Sequence, residues 1–71
     1  MASPLTQTID EQLGYATGVW AWDVCPDLSS IELRKAADKS WQHAIRSMIL
    51  DHDMFCDSYV NGYNDRKEGR L

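Results

Sequence analysis

From Asp27 to Asn61 the chain runs 35 residues without a glycine or a proline, and its apolar residues return at helical spacing. At about 100° per residue, Leu33, Ala37, Trp41, Ala44, Met48, Phe55 and Tyr59 fall in one sector roughly 80° wide, while Lys35, Lys39, Gln42 and Arg46 point away from it. Ser29-Ser30-Ile31-Glu32 reads as a capping box. In it the Ser29 hydroxyl accepts from the Glu32 N–H and the Glu32 carboxylate accepts from the Ser29 N–H. A helix over about 30–50 follows.

Beyond Leu50 the pattern allows two continuations. The apolar stripe keeps its phase through Asp51-His52-Asp53, but aspartates are poor helix-interior residues and good N-caps. Either a third helix begins there and occupies about 53–61, or the second helix continues, kinked, past Tyr59. Asn61-Gly62 reads as a C-terminal stop, and 64–71 as a polar tail.

Ahead of this region, Ser3-Pro4 and the capping box Thr8-Ile9-Asp10-Glu11 both offer a start for a first helix over about 4–22. Leu5, Ile9, Leu13, Ala16 and Trp20 form its main stripe, and Tyr15, Val19 and Trp22 form a second stripe beside it. Gly14 and Gly18, four apart, each cost about 1 kcal/mol relative to alanine, which points to close approach of another helix over a small-residue patch. Pro26 disfavours the α region at Cys25, so 23–28 is the linker. The fold class is all-α: an antiparallel helical hairpin with a short third helix or a long kinked second helix, dimeric, in one small domain over 1–71. A 71-residue chain gains only about 3–5 kcal/mol from a single core, which makes a partner chain useful.

Charge narrows the function classes. Residues 1–33 carry Asp10, Glu11, Asp23, Asp27 and Glu32 with no lysine or arginine, and the whole chain has a net charge of −4. Nucleic-acid binding draws its affinity from clustered Lys and Arg, so direct nucleic-acid binding is not expected. No apolar run approaches the roughly 18 residues that span a bilayer, and the first residues lack the pattern of a signal peptide. No membrane association is expected, and the cytoplasm is the expected compartment.

The candidate chemical groups are few. Cys25 and Cys56 allow one disulfide, but in a cytoplasmic chain they are expected as two reduced thiols. His52 and Cys56, four apart, share a helix face, and with His43 and Cys25 they make up the residue types of a zinc site without its spacing. Asp51, Asp53 and Asp57 match three positions of a calcium loop, but Cys56 stands where glycine is required and Gly62 where a bidentate glutamate is. Asp53 and Asp57 beside Cys56 oppose the thiolate that nucleophilic catalysis needs. No metal, no cofactor and no enzymatic activity are expected.

The aromatics exceed what a two-helix core encloses. Trp20 and Trp41 lie on the main stripes and are expected in the core. Tyr15, Val19 and Trp22, flanked by Asp10, Glu11 and Asp23, are expected to form an interface with another protein or a second copy, since Trp and Tyr are frequent interface hot spots. The expectation is a small acidic non-enzymatic protein-binding module. Its class would be that of a phage or mobile-element inhibitor occluding a basic surface of a host nuclease, polymerase or defence complex. Two alternatives are a helical oligomer binding a small nucleotide-like molecule through Arg34, Lys35 or Arg46, and an accessory subunit of a larger complex.

Overall fold

The computed structural model describes residues 8–46 and 50–69. They form helices α1 (Ile9–Val24), α2 (Ser30–Ala44) and α3 (His52–Lys67), with no strand among the described residues. The Ser3-Pro4 opening, Leu5, Met48 and the last two residues of the tail lie outside that set.

Local chemistry sets the helix starts. The Thr8 hydroxyl accepts from the Glu11 N–H at 3.2 Å and caps α1. The Ser29–Glu32 capping box opens α2 in both directions. The Asp51 carboxylate accepts from the Met54 N–H at 3.0 Å and starts α3, so the break falls in the Asp51–Asp53 region. Asp27 turns the linker with a φ of 63°, a left-handed conformation that Asp tolerates better than most residues.

The helix ends differ from expectation. α1 runs on to Val24, with the Cys25 N–H donating to the Ala21 carbonyl at 2.8 Å. α2 stops at Ala44, short of Leu50. The returning chain buries Leu50 against the core, and the Trp41 indole Nε1 donates to the Leu50 carbonyl at 2.9 Å, a contact that a straight helix would not bring about. α3 does not stop at Asn61-Gly62. It continues to Lys67 through the first half of the expected tail, with Gly62 buried and Gly69, φ 75°, just past its end.

Gly62 serves packing instead. A Cβ on Gly62 would run into the backbone of Tyr15, one on Gly14 into that of Phe55, and one on Gly18 into that of Tyr59. The close approach read from Gly14 and Gly18 is therefore made by α3. Gly14 faces Phe55, Gly18 faces Tyr59 and Trp22 meets Tyr63, so α1 and α3 run in the same direction. α2 runs against α3, since Asp38 meets His52, Arg34 meets Asp57 and Leu28 meets Tyr63.

The first two helices are thus not each other's main partners, as a simple hairpin would have them. Each packs chiefly on α3, and α1 touches α2 little. Phe55, Tyr59 and Tyr63 from α3, Leu33 and Ala37 from α2, Ala21 from α1, and Leu50 form the core. Tyr63 also fastens the linker, its hydroxyl donating to the Cys25 carbonyl at 2.9 Å and accepting from the Leu28 N–H at 2.8 Å.

Candidate protein interface

Gly14, Gly18 and Ala21 are the buried positions of α1, and at i, i+4 and i+7 they mark one face, the one against α3. The second stripe lies beside it and is largely taken up by α3. Trp22 is half-buried, its ring edge-on to Tyr63 with centroids 5.3 Å apart. The Tyr15 hydroxyl donates to Asp65, and Val19 is half-buried. Of the expected flanking carboxylates, Asp10 and Glu11 lie in the first turn of α1, and Asp23 accepts from Arg66 Nε at 3.2 Å.

Of the main stripe, expected as core, Ile9 is 59% exposed and Trp20 61%, with Ala16 exposed, while Leu13 is half-buried and packs against the core. Val24, on the same side of α1, is 53% exposed. Of the two stripes, the second is thus the more covered by the chain's own helices. Trp41 is half-buried and packs against the core.

Because α1 and α2 both lean on α3, a groove of about 700 Å³ opens between them. Trp20 and Val24 line its α1 side, Lys35, Ala36 and Lys39 its α2 side, and Tyr59 of α3 is at its base. The two carboxylates on the α2 side have internal partners. Glu32 closes its capping box, and Asp38 accepts from Gln42 Nε2 at 2.8 Å and meets His52 Nε2 at 2.7 Å. Lys35 and Lys39 form no ion pair among the described residues.

A second cluster joins α2 to α3. His52 Nε2 lies 2.7 Å from Asp38 and 3.6 Å from the Cys56 sulfur, its Nδ1 lies 3.2 Å from Asp53, and the Trp41 ring meets the imidazole edge-on at 4.7 Å. Hydrogen bonds to Asp38 and Asp53 raise the His52 pKa above 6.5. Burial, helped by the charge of Asp38, pushes the Cys56 thiol upward. A thiol, an imidazole and carboxylates are brought together, but their electrostatics favour the protonated thiol over the nucleophilic thiolate. Cys25 is a free, exposed thiol at the end of α1, and His43 is exposed in the last turn of α2. Among the described residues no group of three or more His, Cys, Asp or Glu is arranged to hold a metal ion, and no helix there is long and apolar enough to cross a membrane.

Compared with protein families, with curated proteins and with solved structures, the chain matches none.

Proposed function

We propose that this chain is a non-enzymatic protein-binding module whose docking face is the outward stripe of α1 together with the α1–α2 groove. One observation carries the reading: Trp20 stands 61% exposed at the groove, with Val24 beside it. Leaving a tryptophan in water forgoes a large hydrophobic gain, and a contiguous apolar patch of this kind is typical of a surface that another polypeptide covers. The module works by occlusion, as the inhibitor class read from the sequence would. Asp10 and Glu11 in the first turn of the same helix steer it towards basic groups, and the apolar stripe supplies the affinity. The interface is centred on Trp20, since α3 already engages Tyr15 and Trp22.

Lys35 and Lys39 also favour a second reading, in which the groove takes an anionic small molecule. The two separate experimentally. With Trp20 replaced by the photo-crosslinker p-benzoylphenylalanine, the full chain in extract of its source cells is expected to form light-dependent adducts with a polypeptide, its own copy included, and Val24→Asp is expected to abolish them. No polypeptide adduct, together with a rise in melting temperature in the presence of nucleotides, would replace protein binding with the small-molecule reading.

A further inference from the structure

We infer that the polypeptide covering this face is a second copy of the same chain, the two α1 helices crossing about a two-fold axis so that each outward stripe lies along the other copy's groove. This rests on the protein-binding reading above and names its partner.

Charge complementarity chooses the occupant. The groove has an apolar side, Trp20 and Val24, and a side that offers Lys35 and Lys39 without an ion-pair partner among the described residues. Its ideal occupant is a helix with one apolar stripe and carboxylates next to it. α1 is such a helix. Ile9, Ala16, Trp20 and Val24 are exposed along one line, the first turn carries Asp10 and Glu11, and α1 contains no lysine or arginine. The chain therefore carries both halves of the contact, the requirement for an isologous interface in which each copy gives and receives the same surface.

Size and orientation agree. The described chain measures 31 × 29 × 16 Å, large enough for the roughly 800 Å² per partner of a stable interface. Crossing antiparallel, the partner's α1 brings its acidic first turn to the end of the groove where Glu32 and Lys35 lie. Glu32 keeps its charge in the cap and is turned to the Ser29 N–H, and Lys35 is the cation at that end that meets those carboxylates. A second copy also adds the buried apolar surface that a chain this short needs.

The test is the mass in solution by light scattering over a wide concentration series, in reductant. The wild-type chain is expected to reach twice its 8.1 kDa. Trp20→Ala is expected to hold it at the single-chain mass. Lys35→Glu with Lys39→Glu, at two exposed sites that leave helicity intact, is expected to weaken association roughly tenfold or more. A wild-type chain that stays monomeric at every concentration overturns the inference, as does a dimer indifferent to both variants. If the monomeric chain still crosslinks a different polypeptide from position 20, this inference fails and the protein-binding reading stands. If it crosslinks none, both fail.

Discussion

Along the α3 side of α1 contact is made by the absence of side chains, with Gly14, Gly18 and, from across, Gly62 letting two helix backbones come together. Along the opposite side the large residues Ile9, Trp20 and Val24 project with little of their own chain to cover them. Packing quality, more than hydrophobicity, divides the helix. Two backbones meeting over glycine recruit many weak dispersion contacts along their length, whereas an isolated tryptophan gains only what happens to lie beneath it. The tight seam supplies the fold, and the open side contributes little to it.

The strongest way to break that division is to thicken the seam. Gly18→Ala places a methyl group against the backbone of Tyr59, which has no rotamer by which to yield. The roughly 1 kcal/mol that alanine gains inside a helix is outweighed, and a net loss of about 3 kcal/mol is expected, at the upper end for overpacking. Against the roughly 3–5 kcal/mol available to a core of this size, urea denaturation followed by circular dichroism should find the variant largely unfolded or close to it. A variant more stable than wild type would mean that the helices do not approach this closely.

The tryptophans sharpen the comparison. Trp22→Ala removes the edge-on contact with Tyr63 and is expected to cost about 2 kcal/mol, less than a fully buried tryptophan. Trp20→Ala removes a side chain mostly in water and is expected to cost the single chain no more than about 0.5 kcal/mol. The two values are read from denaturation curves at concentrations too low for association. The reverse order would place Trp20 in the fold and Trp22 in the interface.

The sequence made the helices legible and hid their partners. Capping chemistry is local, so Ser29–Glu32 marked the start of α2, while the Asp51–Asp53 region left a break and a continuation both open, and the structure has the break, capped by Asp51. The ends at Ala44 and Lys67 depend on tertiary contacts, Trp41 reaching Leu50 and Gly62 meeting Tyr15, and no local rule contains them. A periodicity argument ranks stripes by apolar content, which favoured Leu13, Ala16 and Trp20 over a face of Gly14, Gly18 and Ala21. The signal that could have reversed the choice was present in the glycines: a residue pair that is costly in a helix marks the face where another backbone must fit. For the same reason periodicity leaves out that Tyr15 and Trp22, expected at an interface, reach Asp65 and Tyr63 of α3, while Trp20, expected in the core, stands exposed.

The smallest expected effect concerns the α2 side of the groove, which is fastened to α3 by polar contacts where the seam uses close packing. His52 is faced by Asp38 and Trp41 from α2 and by Asp53 and Cys56 from its own helix. The carboxylates bond the imidazolium better than the neutral ring, and so its pKa lies above 6.5 in the folded chain. A group whose pKa is raised by folding contributes stability that is full below its unfolded value and is lost as pH climbs through the folded value. The melting temperature is therefore expected to fall modestly as pH rises from about 6 to about 8, and His52→Gln is expected to flatten that slope while leaving the α1–α3 seam unchanged. The side chain is 44% exposed, so solvent screening keeps the effect small. An equal slope in wild type and variant would show that Asp38 and Asp53 do not hold the imidazolium, and the α2 side of the groove would then rest on the packing of Leu33, Ala37 and Trp41 and on the Arg34–Asp57 contact.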